Sequence, residues 1–216
     1  FTNADGANPS YGKAYYLENI LSDYNVFTPG DFTATSSGHI ISSVAVGGTL
    51  ASDNAVGDKA VAASYAKNVT KISNLFPNND GKKFYYQTAP GLADWLTAKM
   101  TNVTAPYIDF TAAMSSLSAQ SACFTDGATK LTPVGGVITV SAAGYYEIDY
   151  TDFKNSTLNF NCSVDAFKTG AWVISITGVG DNAATLDFNG NIRFDYESDA
   201  SDNDDTLIIN YKDTLI

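Results

Sequence analysis

The sequence predicts a mainly β fold that also contains helices. From Leu131 onward apolar residues recur with a period near two, which is typical of short strands, and turn residues such as Gly135-Gly136 separate the runs. Upstream, apolar residues recur at helical spacing in several segments instead. The period does not choose among a sandwich, a meander and a β-solenoid, so all three remain open on this ground.

Helical spacing predicts three helices in the first part of the chain. They cover residues 11–24, 91–100 and 109–123. The apolar stripe of the second helix, which includes Trp95, is expected to pack in a core. The third helix begins at Asp109, a residue type that favours the N-cap position because its carboxylate accepts a hydrogen bond from a free backbone N–H.

The second part of the chain predicts a series of short strands. Turn residues separate seven apolar runs, which read VITV, YYEIDY, STLNF, WVISIT, ATLDF, IRFDY and TLIINY. Asn189-Gly190 lies between two of them. Because both residues tolerate positive φ, this pair predicts a local antiparallel hairpin.

Composition and charge favour one exported domain with an ample core. The 216 residues are 44% hydrophobic and only 16% charged. The net charge of −11 argues against a nucleic-acid partner, because phosphate binding requires an excess of Lys and Arg. No apolar run is long enough to span a bilayer, so membrane insertion is not expected.

The residues that catalysis requires are scarce. His39 is the only histidine, and no G-x-S-x-G motif is present, so the sequence offers little from which a hydrolase triad could be built. Glu147 and Asp149 share one strand face and could form a glycosidase pair, but an exposed polar face predicts the same alternation. We therefore expect that the chain is not an enzyme.

Cys123 and Cys162 allow one intramolecular disulfide. In an exported protein, that bridge would contribute on the order of 4 kcal/mol by the chain-entropy model. The alternative is two separate thiols. The bridge is the expected state here.

An acidic tract near the C-terminal end offers hard oxygen ligands. It reads DYESDASDNDD, and Ca²⁺ is bound in proteins by such oxygens. Asp199, Asp202 and Asp204 are the candidate ligands. The tract lacks the spacing of a calcium loop, so a solvated acidic hairpin tip is the alternative. No other cofactor is expected.

Adjacent tyrosines are candidates for ligand contact. Tyr85-Tyr86 and Tyr145-Tyr146 lie in extended runs, where neighbouring side chains point to opposite faces. One member of each pair can therefore face solvent and bind a sugar or a protein partner. Ordinary packing at the rim of a core is the alternative.

Three stretches of the chain, the first of which holds two motifs, together resemble the choice-of-anchor A domain of bacterial cell-surface adhesins. The family's N-V-F-x-x-G-D-F and V-A-V-G-G runs correspond to Asn25, Val26, Phe27, Gly30, Asp31, Phe32 and to residues 44–48. Its I-D-F-x-x-A helix and L-x-N-[FY] strand are similar to residues 108–119 and 206–211. Residues 58–100 do not follow the family pattern. Because the family's closing segment is missing, we expect that the chain is truncated at its C-terminal end.

The resemblance implies a β-solenoid-like coil with a long α-helix packed alongside and an N-terminal helix, an arrangement that is also similar to microbial ice-binding proteins. It implies a single adhesin-like domain over residues 1–216 that is non-catalytic and belongs to a bacterial surface protein. That protein is expected to be extracellular, at the cell surface or anchored to the cell wall. The expected partner is a glycan or protein on a host or neighbouring cell.

Two alternatives to this function remain. An ice-binding domain would need a regular face of Thr or small residues, and the spacing T-x-T is found at Thr33-Ala34-Thr35 without a copy one coil later. A structural stalk module would bind no ligand.

Overall fold

The computed structural model describes residues 14–35, 38–76, 83–162, 171–178, 192–194 and 207–211. These residues are mainly β, which confirms the predicted class. The chain forms two compact units, Phe1–Leu117 and Ser118–Ile216. The single domain over residues 1–216 stays a prediction beside this division.

Helices and parallel strands make up the first unit. Its elements are α1 (Leu17–Asp23), β1 (Tyr24–Thr28), β2 (Phe32–Ala34), β3 (His39–Ile41), β4 (Ser43–Ser52), β5 (Ala55–Asp58), β6 (Ser64–Lys71), β7 (Asn74–Leu75), β8 (Phe84–Thr88), α2 (Asp94–Thr97), β9 (Thr101–Asn102) and the start of α3 (Phe110–Cys123).

The strands of the first unit form two parallel sheets. One has the order β1–β4–β6–β8–β9, with β2 also beside β4, and the other has the order β3–β5–β7. From β3 to β8 the chain alternates between the two sheets. Each pass therefore adds one parallel strand to each sheet, which a hairpin could not do.

Both faces of the larger sheet are covered. Val44, Val46 and Leu50 are fully buried in a cluster with residues from the smaller sheet, including Val56. On the other face, Ala45 lies in a second cluster together with residues of α1 and α3. Burial on both faces explains why β4 begins with a continuous apolar run instead of an alternating one.

The second unit repeats this parallel arrangement. Its elements after α3 are β10 (Thr129–Lys130), β11 (Val137–Val140), β12 (Gly144–Asp149), α4 (Tyr150–Lys154), β13 (Thr157–Phe160), β14 (Trp172–Thr177), β15 (Ile192–Phe194) and β16 (Leu207–Tyr211). The sheets have the orders β10–β12–β14–β16 and β11–β13–β15, and every pairing within them is parallel.

In-register apolar rows hold the second unit together. Ile148 of β12 lies beside Ile176 of β14, and both are fully buried. Phe160 of β13 meets Trp172 edge to face, with ring centroids 5.6 Å apart. Because β12 and β14 belong to one sheet and β13 to the other, this cluster lies between the two sheets.

The predicted strands correspond well with the observed ones. VITV, STLNF, WVISIT, IRFDY and TLIINY contain β11, β13, β14, β15 and β16 in that order, and YYEIDY contains β12 except for its first residue, Gly144. The run ATLDF and the predicted hairpin at Asn189-Gly190 lie outside the described residues.

The predicted helices are correct in position, but the first two are shorter than predicted. The long helix ends at Cys123 as predicted, and Asp109 is its N-cap, because the N–H of Ala112 donates to Asp109 Oδ1 at 3.0 Å. The first helix begins at Leu17 instead of residue 11, and the second covers only Asp94–Thr97. The core position predicted for Trp95 is wrong: its neighbour Leu96 is buried, so Trp95 points away and is 52% exposed.

Candidate functional site

The glycine pair Gly47-Gly48 of β4 lies against the backbone of the segment that contains Gly30 and Asp31. The N–H of Gly48 donates to the carbonyl of Gly30 at 3.0 Å, and the N–H of Thr49 donates to Asp31 Oδ1 at 2.6 Å. A Cβ atom at Gly48 would overlap Asp31 Oδ1 and lie 2.7 Å from the Gly30 carbonyl carbon. The motif residues therefore have a structural role, since they allow two stretches of backbone to approach closely.

A β-bulge at Gly47-Gly48 shapes the helix-facing side of the sheet. Two residues of β4 lie opposite the single residue Lys67 of β6, because the register shifts between Val46 and Thr49. A Cβ atom at Gly47 would lie 2.9 Å from Phe110 Cδ2 and overlap the carbonyl oxygen of Pro29. The missing side chain at Gly47 thus makes room for the start of α3.

An open groove lies between this face of β4, β6 and β8 and the start of α3. Its volume is about 410 Å³. We call it the β4–α3 groove, and its lining residues are Gly47, Tyr65, Lys67, Gln87, Pro106, Ile108, Asp109, Phe110 and Thr111. Strand alternation explains the pairing of Tyr65 with Lys67, because residues two apart share one face.

The floor of the β4–α3 groove is a fixed, largely apolar surface. Tyr65 is 1% exposed, and its hydroxyl donates to Gln87 Oε1 at 2.9 Å. Gln87 Nε2 in turn donates to the carbonyl of Thr104 at 3.3 Å. Burial raises the pKa of Tyr65 above its ordinary value of 10.0, so the phenol stays neutral and keeps its proton in this bond.

Rings surround the floor of the groove. Phe110 lies 6.2 Å from Tyr65 and 5.2 Å from Phe27, measured between ring centroids. Tyr107 stacks on Tyr85 at 4.4 Å with an interplanar angle of 25°. Phe110 therefore connects the N-V-F motif of β1 with the I-D-F motif at the start of α3.

The rim of the β4–α3 groove carries exposed polar groups. Lys67, Asp109 and Thr111 are all exposed. Within the described part of the chain, no residue forms an ion pair or hydrogen bond with the Lys67 ammonium. Asp109 Oδ1 accepts the capping bond from Ala112, and Oδ2 makes no hydrogen bond to any described residue. As far as the described residues show, the rim thus presents one free cation and one free carboxylate oxygen.

The predicted tyrosine pair of the first unit lies on two different faces, as strand alternation requires. Tyr85 belongs to the helix-facing cluster and stacks on Tyr107. Tyr86 packs against the cluster between the two sheets. Both are half-buried, and their role as ligand contacts stays a prediction.

The predicted pair of the second unit is divided in the same way. Tyr145 is 43% exposed and stacks on Phe124, with centroids 5.9 Å apart. Tyr146 is half-buried, its hydroxyl donates to the carbonyl of Ala142 at 2.7 Å, and burial raises its pKa. Ligand contact at this pair also stays a prediction, with Tyr145 the more accessible residue.

The predicted disulfide is not formed in the structure, which leaves both cysteines as free thiols. The two thiols lie in different surroundings instead. Cys123 is exposed and its thiol donates to the Ala119 carbonyl one helical turn earlier, at 3.4 Å. Cys162 packs against the core of the second unit, and burial raises its pKa.

The candidate calcium ligands Asp199, Asp202 and Asp204 lie outside the described residues. Over the ranges that the structure does describe, no three His, Cys, Asp or Glu residues come close enough together to hold a metal ion.

The carboxylates considered for glycoside hydrolysis have structural partners. Glu147 Oε1 accepts from the Thr177 hydroxyl at 3.1 Å. Asp149 Oδ1 accepts from the N–H of Thr151 at 2.8 Å and so caps α4. Both residues therefore take part in hydrogen bonds within the second unit.

Sequence reasoning did not find the β4–α3 groove. Tyr65, Lys67 and Gln87 come together only through the register of β6 with β8, which no local pattern encodes. Asp109 was identified, but only as a helix cap. The available signal was the alternation Tyr65-x-Lys67 beside Tyr85-x-Gln87, which becomes informative once the two strands are known to pair.

The comparisons with known proteins identify the family. A family model described as Putative Ice-binding-like adhesive domain matches residues 17–216. The chain therefore belongs to this family of adhesive domains, which confirms the predicted adhesin-like class with ice-binding-like similarity. Neither the curated proteins nor the solved structures gave a match.

Family membership supports the broad function. An adhesive domain binds an external partner and is exposed at a surface. No helix among the described residues is long and apolar enough to cross a membrane.

Proposed function

We propose that this chain is a non-catalytic adhesive domain of a bacterial surface protein, located at the cell surface or anchored to the cell wall, and that it binds an extracellular glycan on a host or neighbouring cell. The observation that carries the glycan proposal is the β4–α3 groove, which combines an apolar floor with free polar groups on its rim. Small-ligand sites have this composition. A protein partner is the alternative, and it would need about 800 Å² of surface on each side.

The proposed architecture is a solenoid-like coil with α3 packed alongside. The alternation of successive strands between two parallel sheets supports it in each unit. Contacts of Phe110 and Ala113 with Ala45 and Tyr65 support the packing of α3 on the sheet of the first unit. Such a coil gives a stiff body that presents residues at regular spacing.

The proposal that the domain is non-catalytic rests on the surroundings of its acidic residues. Glu147 and Asp149 form the structural hydrogen bonds described above. His39 is 53% exposed on its side chain and lies 3.8 Å from Asp58, and its ring meets Phe76 edge to face. Nothing in these surroundings supplies an activated nucleophile.

Glycan and protein arrays probed with the whole chain test this function. We expect binding to one class of extracellular glycans, with no change in the glycan. Binding only to proteins would favour the alternative partner. If no array shows binding and the chain releases reducing ends from any polysaccharide, the proposal is contradicted. If no array shows binding and no polysaccharide is cleaved, a stalk module is favoured.

Ice binding is the second candidate function, and one row of residues favours it. Thr49, Asn68 and Thr88 lie in register on neighbouring strands, spaced by about 4.8 Å as parallel strands are. The row is short, and the neighbours of Thr33 across the sheet are Ala51 and then Lys71. Thermal hysteresis in a solution of the chain would establish this function, and its absence would exclude it.

A further inference from the structure

We propose that the β4–α3 groove is the binding site for a short neutral saccharide, held between the free ammonium of Lys67 and the free carboxylate oxygen of Asp109. This inference rests on the proposed function, because it assigns the site and the ligand class of the same activity. Nothing in the family match assigns either one.

The shape of the groove suits a sugar ring. The volume of about 410 Å³ lies at the lower end of the range for small-ligand sites, so a short saccharide fits and a folded partner does not. Gly47 leaves the floor without a side chain, and the exposed Pro106 and the half-buried Phe110 contribute apolar atoms to the wall. The C–H face of a sugar can pack on such a wall while its hydroxyls point toward the rim.

The charges of the rim select a neutral ligand that carries hydroxyls. Lys67 can only donate hydrogen bonds, and the Asp109 carboxylate can only accept them. A sugar hydroxyl does both, so neighbouring hydroxyls can satisfy both groups at once. An anionic ligand would meet Asp109 and the net charge of −11, whereas a cationic one would meet Lys67. Opposite charges on one rim therefore favour a polyol over an ion.

Apart from the Lys67 side chain, the groove is organised before any ligand arrives. The hydroxyl of Tyr65, the amide of Gln87 and the carbonyl of Thr104 form a continuous hydrogen-bonded chain along one side. The capping bond to Ala112 holds Asp109 in place on the other side. Groups that are already fixed lose little conformational entropy on binding, which increases affinity.

Titration calorimetry with lactose, maltose, cellobiose, mannobiose and N,N′-diacetylchitobiose tests the inference on the whole chain. We expect at least one of these disaccharides to bind. Lys67→Met and Asp109→Asn should each weaken that binding about tenfold or more, since each removes a hydrogen bond to a charged group. Both variants should fold, because Met keeps the apolar stem of Lys67 and Asn is itself a good N-cap.

Matched controls separate a site effect from a general charge effect. Lys130→Met and Asp126→Asn make the same changes at exposed positions of the second unit, and they should leave the affinity unchanged. If a disaccharide binds and the groove variants bind it as well as the wild type, the groove assignment is wrong while the proposed function stands. If none binds at millimolar concentration, the assignment is also wrong, and the arrays decide whether the proposed function survives. Should a groove variant lose its native circular dichroism, Thr111→Val takes its place.

Discussion

At the residue scale, the hydrogen bond between Tyr65 and Gln87 links burial to the form of the groove. Tyr65 is almost completely buried, and its hydroxyl has one protein partner, Gln87 Oε1. Burial removes much of the hydration that a charged phenolate would need at this position. This burial is the reason that the pKa of Tyr65 is raised.

The raised pKa of Tyr65 predicts a loss of stability at high pH. Its folded pKa lies above the unfolded value of 10.0, so the folded state holds the proton more tightly. The contribution of protonated Tyr65 to the free energy of unfolding is fully present below pH 10.0. It is lost as the pH rises through the folded pKa of Tyr65. Urea denaturation measured from pH 9 to pH 12, in steps of about one pH unit, should show this fall in the free energy of unfolding.

Tyr65→Phe provides the comparison, because it removes the titrating group and keeps the ring. We expect its stability to fall less steeply than that of the wild type above pH 10.0. Tyr145→Phe is the control at an exposed tyrosine, and it should follow the wild type. Equal slopes for all three proteins would show that Tyr65 does not titrate differently in the folded state.

Gly47 tests the close approach of β4 and α3. Gly47→Ala places a methyl group 2.9 Å from Phe110 Cδ2 and against the backbone of Pro29, which cannot move freely. We expect a loss of about 1–3 kcal/mol in the free energy of unfolding, the usual result of overpacking. Gly30→Ala is the control, since its nearest atom would lie 3.9 Å away. Equal stability of the two variants in urea would mean that the approach is not as close as described.

At the element scale, the start of α3 is determined by Asp109. Its carboxylate accepts from the N–H of Ala112, and its backbone N–H donates to the Tyr15 hydroxyl at 2.8 Å. One residue therefore caps the helix and connects it to the segment before α1. This position also places the second carboxylate oxygen at the rim of the groove.

Loss of this cap should destabilise the protein. Asp109→Ala is expected to lower the free energy of unfolding by about 1 kcal/mol, whereas Asp109→Asn should retain most of the wild-type stability. Thermal denaturation followed by circular dichroism measures the difference. If the alanine and asparagine variants were equally stable, the cap would contribute nothing.

The elements predicted from sequence are those whose signals are local. The cap at Asp109 and the strands of the second unit were predicted correctly because each depends on neighbouring residues. Trp95 was placed in a core because helical spacing was extended over residues 91–100, but a four-residue helix buries only Leu96. The parallel pairing and the β4–α3 groove depend on contacts between distant residues such as Tyr65 and Gln87, which periodicity does not contain.

At the scale of the whole molecule, each of the two units consists of parallel sheets around its own apolar cluster. The close approach of neighbouring segments that the two glycines of β4 permit shapes the site in the first unit. The glycine motif of β4 thus serves mainly to hold strands together. Of the groups proposed to bind ligand, Asp109 belongs to the I-D-F run and Lys67 lies outside the motifs.

The most direct test of saccharide binding by this adhesive domain is an amide chemical-shift map. The isotope-labelled whole chain would be titrated with the disaccharide that binds most tightly in calorimetry. We expect the largest shifts at the amides of Lys67, Gln87 and Thr111. Shifts confined to residues 118–216, or no shifts at all, would contradict it.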